Sequence, residues 1–119
     1  MRIAITARGP GLGAWIDPDF GTSGYVLIVT DDNDFEAWPN PSKASGDARG
    51  LDLARRLIDA GVDGVITGTV SPDALTLLHR AGIPVYLAGM DSVLTLVEGA
   101  RNGVLKRASV DEAAGPNPG

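Results

Sequence analysis

Apolar positions in the middle of the chain repeat with an offset of 21 residues: Leu57, Ala60, Gly61, Val62, Ile66 and Gly68 recur as Leu78, Ala81, Gly82, Ile83, Leu87 and Gly89. Each unit reads as an amphipathic helix that stops at a glycine suited to the left-handed C-cap conformation, followed by a short apolar strand ending at a second glycine. Helix then strand, twice over, predicts parallel strands in one sheet. Because such crossovers are right-handed, strand C-termini and helix N-termini open on one sheet edge, where open α/β sheets take their ligands.

Around this pair the pattern predicts a buried strand over Arg2–Thr6 and then a loop over Ala7–Trp15, whose Gly9, Pro10, Gly11 and Gly13 forbid a regular element. A strand over Tyr25–Thr30 turns at Asp31–Asp34 into Phe35–Trp38, an antiparallel hairpin that puts the second strand at a sheet edge. Pro39–Gly46 reads as a polar loop. The first helix is expected over Asp47–Ala60, with Leu51, Ala54, Leu57 and Ile58 inward, and a strand follows at Gly64–Thr67. The second helix carries Ser71 as N-cap, Pro72 at its first position and Asp73 in its first turn, with Ala74, Leu75, Leu78 and Ala81 inward. A strand over Val85–Ala88 and a third helix from Asp91 or Ser92 to Asn102, closed by Gly103, complete one domain over residues 1–107. Residues 108–119 are expected to form a disordered tail.

Composition narrows the chemistry. The 119 residues suffice for one domain, and the absence of cysteine excludes disulfides, thiolate nucleophiles and cysteine-ligated metal centres. A net charge of −5, no basic stripe, and only two tryptophans and two tyrosines argue against a nucleic-acid surface. The N-terminal apolar run is too short for a signal peptide and no stretch reaches membrane-spanning length, so the expected compartment is the cytoplasm and no membrane partner is expected.

The Gly9–Gly13 loop lacks the third glycine and the following helix of a dinucleotide fingerprint, and no Gly-Lys-Ser/Thr forms a P-loop. Ala7 and Arg8 stand where a receiver domain needs acidic residues, and the loop lacks the hydroxyls of a flavodoxin phosphate loop. The single histidine, His79, reads as a surface residue near the end of the second helix, far from the glycine-rich strand ends. Asp17, Asp19, Asp31, Asp32 and Asp34 read as turn and cap residues. What remains at the ligand edge is a set of anion-binding parts. They are the N-termini of the first two helices, the glycine loops at Gly9, Gly11, Gly13 and at Gly68, Thr69, and the cations Arg8, Lys43 and Arg49, with Trp15, Trp38 and Met90 as an apolar wall. All are expected to converge on one pocket. Arg49 sits in the first turn of the predicted helix, where the macrodipole disfavours a cation, and is more easily explained by a bound anion. Two-metal hydrolysis would need a carboxylate cluster on the central strands, which Arg2–Thr6 and Gly64–Thr67 do not provide, so no enzymatic activity is expected.

The run Asp17-Pro18-Asp19-Phe20-Gly21, the Asn40-Pro41 loop, and the stretch from Ala60-Gly61-Val62-Asp63-Gly64 through Ser71-Pro72-Asp73-Ala74 to Ala81-Gly82-Ile83-Pro84-Val85-Tyr86 together resemble the dinitrogenase iron-molybdenum cofactor biosynthesis family of small carrier proteins. The resemblance spans about residues 1–106 and implies a ribonuclease H-like fold, a five-stranded mixed α/β sheet with helices on both faces. Many members of that family place histidine where this chain has Asp19, and again in the loop that reads Ser45-Gly46-Asp47. A cysteine-free chain with Asp-Pro-x-Phe-Gly is most similar to the members associated with a molybdenum-copper sulfide cluster. Such a cluster brings its own sulfide ligands, so the protein need supply only amides, cations and an apolar wall. The implied function is a non-enzymatic carrier of that anionic cluster. The alternative is a regulatory or adaptor domain acting through the ATPases that often accompany the family.

Overall fold

A run without one exposed position, Ile3–Ala7, forms the central strand β1 of the computed structural model, which describes residues 1–109. Strands covered on both faces read as continuous apolar runs, and β2 (Tyr25–Val29) and β4 (Gly64–Thr67) share this character. With β3 (Phe35–Pro39), β5 (Val85–Leu87) and β6 (Lys106–Arg107) they build one mixed sheet in the order β3-β2-β1-β4-β5-β6. β1 runs parallel to β4, and β4 to β5, while β1/β2, β2/β3 and β5/β6 are antiparallel. The predicted hairpin and its edge strand are present. The sheet has six strands rather than five: β6 is two residues long and exposed, too short to leave a periodic signal.

The strands alternate their side chains between two cores. Ala4, Val26, Ile28, Val65 and Val85 face α2 (Leu51–Ala60) and α3 (Pro72–Arg80), whereas Ile3, Ile5, Leu27, Val29 and Ile66 face α4 (Val93–Arg101). Leu53, Leu57, Leu75 and Leu78 are fully buried, and each contributes about 1.5–3 kcal/mol by leaving water. Leu53 joins Ala54 and Leu57 at the centre of the α2 face, displacing the expected Leu51 and Ile58 to its margins. Ala81 is exposed, because α3 ends at Arg80 and Ala81 caps it. Gly61 and Gly82, the paired first glycines of the repeat, both adopt left-handed φ, 68° and 78°.

Two differences reshape the ligand edge. Within the expected loop Pro39–Gly46 lies a short helix, α1 (Pro41–Ser45), because Asn40 Oδ1 accepts the Ser42 amide at 2.9 Å and Pro41 occupies the first helical position. α2 starts at Leu51 rather than Asp47, since Gly50 takes a left-handed φ of 75° that no continuing helix allows. The expected tail falls mostly on 110–119, outside the described residues. Its first position, Ala108, belongs to the fold, buried with its amide donating to Val85 O at 2.7 Å.

Candidate functional site

The C-terminal ends of β1, β4 and β5 lie on one edge, as the repeat predicts, and a segment over 16–23 is laced across it. Ile16 is buried in the α4-side core and Phe20 in the α2/α3-side core, so the chain passes from one face of the sheet to the other between them. Asp17 donates its amide to Thr6 O at 3.0 Å, and the Thr6 hydroxyl donates to Asp17 O at 2.7 Å. Pro18 O accepts the amides of Gly68, at 3.0 Å, and Thr69, at 2.6 Å. A Cβ on Gly68 would stand 2.8 Å from Pro18 O, so this glycine is there to let the crossing segment approach. On the far side, a Cβ on Gly21 would stand 2.6 Å from Ala48 O, and Asn40 Nδ2 donates to Phe20 O and Ser23 Oγ. The strap therefore crosses the edge between Arg8–Trp15 on one side and Lys43, Arg49 and Trp38 on the other.

On the α2/α3 side the start of α2 is closed within the protein, whereas the amides of Gly21, Thr22 and Ala48 and the Lys43 ammonium meet no partner among the described residues. Asp47 accepts the Asp52 amide at 2.8 Å and the Arg49 amide at 3.0 Å, and Ser42 Oγ accepts the Leu53 amide at 2.7 Å. The Asp52 amide chiefly, with those of Arg49 and Leu51, holds the Asp47 carboxyl below the usual carboxylate range. Arg49 lies before α2, not within its first turn, and its guanidinium pairs with Asp73 at 2.8 Å, in the first turn of α3. That pair accounts for Arg49 without the bound anion that its expected place in the first helical turn favoured. Trp38 is half-buried and stacks against Arg56, whose Cζ is 5.0 Å from the ring centroid. Lys43 is exposed on α1 beside a cleft of about 190 Å³ lined by Gly21, Thr22, Gly46 and Ala48.

On the α4 side the loop that leaves β1 folds back as a tight excursion, with Ala7 bridging Ile16 and the Arg8 amide donating to Trp15 O at 3.0 Å. It then seats itself on the start of α4: Val93 and Leu94 donate to Ala14 O and Leu12 O, Ile16 donates to Asp91 O, and Trp15 bridges Ser92. Ser92 Oγ accepts the Thr95 amide, so α4 itself has no donor to spare in its first turn. The loop does. Among the described residues the amides of Gly9, Gly11, Leu12, Gly13, Gly89 and Met90 meet no protein acceptor. The Arg8 guanidinium has no ion-pair partner among them either. Trp15 is 52% and Met90 48% exposed, and the backbone joins Trp15 to Asp91–Ser92, immediately after Met90.

The glycines of this side also differ in kind. Gly11, Gly13 and Gly89 have no left-handed φ, and a Cβ on any of them would meet nothing within 4 Å. The fold does not require glycine at these positions. No group of three or more His, Cys, Asp or Glu side chains able to hold a metal exists among the described residues. No helix there is long and apolar enough to cross a membrane. His79 lies at the opposite end of the sheet, as expected, but its ring Nε2 is buried rather than surface-exposed.

One mixed sheet with helices on both faces and a donor-bearing loop at its strand C-termini places the chain among small α/β proteins. The family model for the dinitrogenase iron-molybdenum cofactor matches residues 1–103, and the chain belongs to that family. Among solved structures it is similar to the apo form of the orange protein from Desulfovibrio gigas, with 33% identity, a TM-score of 0.81, and 98% of this chain and 95% of that one covered. Two others share the fold at 22% identity. One is a NifB-assigned protein from Thermotoga, with a TM-score of 0.76, covering 99% of this chain and 98% of that one. The other is a dinitrogenase-assigned protein from Methanocaldococcus jannaschii, with a TM-score of 0.66, covering 92% and 95%. No curated protein matches the chain.

Proposed function

We propose that this chain is a non-enzymatic binding or carrier protein for an anionic molybdenum-copper sulfide cluster, held at the loop Arg8–Trp15 and at Gly89–Met90. The observation that carries the reading is the set of glycines without structural need, Gly11, Gly13 and Gly89, beside unused amides and two exposed apolar side chains. Glycine costs conformational entropy, and an open backbone bearing free N–H groups is what a bulky acceptor requires for close approach. Arg8 supplies one positive charge, and Trp15 and Met90 supply polarizable surface for sulfide rather than for a hard oxyanion. Among the described residues no three His, Cys, Asp or Glu side chains gather to hold a metal, and a cargo that brings its own coordination shell suits such a site. The similarity to the orange protein supports the cluster, and the order β3-β2-β1-β4-β5 with β2 reversed supports a ribonuclease H-like assignment.

The test is reconstitution of the apo chain with stoichiometric tetrathiomolybdate and copper. The expected result is a visible spectrum that differs from that of the same mixture in buffer, with molybdenum and copper co-eluting with the protein, unchanged by thiol-blocking reagents. Identical spectra with and without protein, and metal-free protein after gel filtration, would overturn it.

A further inference from the structure

At the edge opposite the strap, the end of α3, the start of β5 and strand β6 enclose a cavity of about 140 Å³ lined by His79, Gly82, Ile83, Pro84 and Arg107. His79 Nε2 is buried and has no hydrogen-bond partner, a condition that an occupant of the cavity would relieve. The Arg107 guanidinium is exposed and pairs with no carboxylate among the described residues. The nearby backbone carbonyls already accept: His79 O from Gly82, Leu78 O from Ile83 and Pro84 O from Val65. Arg107 can only donate, and His79 Nε2 donates in its N–H tautomer, so an occupant that accepts from both side chains satisfies the pair.

We propose that His79 and Arg107 form a binding site for a small aliphatic monocarboxylate. Its two in-plane oxygens match one guanidinium fork and one imidazole N–H, while a short alkyl stub lies against Ile83 and Pro84. A doubly charged tetrahedral anion fits less well, because only two side chains donate and the negative end of the α3 dipole lies alongside. This site is independent of the cluster reading, lying at the other end of the parallel strands.

His79 is the single histidine, so its ring nitrogens give unambiguous signals in long-range proton–nitrogen NMR. Sodium acetate and propionate, titrated into the full chain at constant pH and ionic strength, should shift the His79 Nε2 resonance along a saturating curve. Phosphate and chloride at equal ionic strength should not. Arg107→Ala should weaken the carboxylate response by about tenfold or more, with Arg107→Lys between the two. A response linear in concentration, an equal response to chloride or phosphate, or unchanged titration in both Arg107 variants would overturn the site.

Discussion

The two sides of the strap carry similar residues, glycines, small polar groups and one or two cations, yet they are finished differently. On the α2/α3 side the helix start and Arg49 are claimed within the protein, with Asp47 and Ser42 closing α2, Asp73 holding Arg49, and Pro18 taking both amides of Gly68 and Thr69; Lys43 and the amides of Gly21, Thr22 and Ala48 stay open beside a cleft. On the α4 side the loop over 8–15 gives the carbonyls of Leu12 and Ala14 to α4 and leaves the amides of Gly9, Gly11, Leu12 and Gly13 and the Arg8 guanidinium open. Both sides thus keep some unclaimed donors, and what sets the α4 side apart is that its open amides stand beside the exposed apolar side chains of Trp15 and Met90.

That contrast is sharpest in the glycines. Gly68→Ala should destabilise the chain by about 1–3 kcal/mol in denaturant melts, because its Cβ would press on Pro18 backbone 2.8 Å away. Gly11→Ala and Gly13→Ala should instead raise stability by about 0.4–1 kcal/mol, since their φ and space accept a methyl group, while weakening cluster uptake. A stabilised variant with unchanged uptake would break the reading of that loop.

The cations divide in the same way. Arg8→Ala should lower cluster affinity by about tenfold or more at low ionic strength. Arg49→Ala should leave affinity unchanged and cost at most about 1 kcal/mol of stability, as an exposed ion pair does. Equal losses of affinity would reunite the two sides into one site. Tryptophan emission offers a finer discrimination: quenching by bound cluster should persist in Trp38→Phe and fall most in Trp15→Phe, which borders the open loop.

The smallest effect concerns Asp47. Its carboxyl is held below the ordinary carboxylate value of 3.8 by the amides it caps, so its contribution is full above that value and is lost as pH falls through the lowered one. Asp47→Asn should be less stable than the parent near neutral pH, with the gap closing in acid. A gap that widens as pH falls would contradict the sign.

The repeat made the parallel strands, the ligand edge and both left-handed helix ends readable, because 21-residue periodicity and C-cap glycines are local signals. Arg8, the loop glycines, Trp15 and Met90 were readable as candidates for the same reason. Their separation from Lys43, Arg49 and Trp38 was not, since it depends on where Asp17–Ser23 runs. That path is set by non-local bonds, Pro18 to Gly68 and Asn40 to Phe20, which leave no periodic mark. The Asp-Pro-Asp-Phe-Gly run was visible, but aspartates in such a run read equally well as turn formers. Helix α1 and the late start of α2 escaped because one depends on the Asn40 side-chain cap and the other on the left-handed Gly50, both inside a polar stretch.

The bonds from Gly68 and Thr69 to Pro18 also give the strap a clock. These two amides sit at the end of a buried strand, yet their acceptor belongs to the crossing segment, which Ile16 and Phe20 anchor at its two ends, so their hydrogen exchange reports opening of that segment between its anchors. They should exchange faster than the amides of β1 and slow when cargo seats on the adjoining loop. If Gly68, Thr69 and Ile5 exchange at one common rate, the strap opens only when the whole domain unfolds, and the two sides of the edge move as one body.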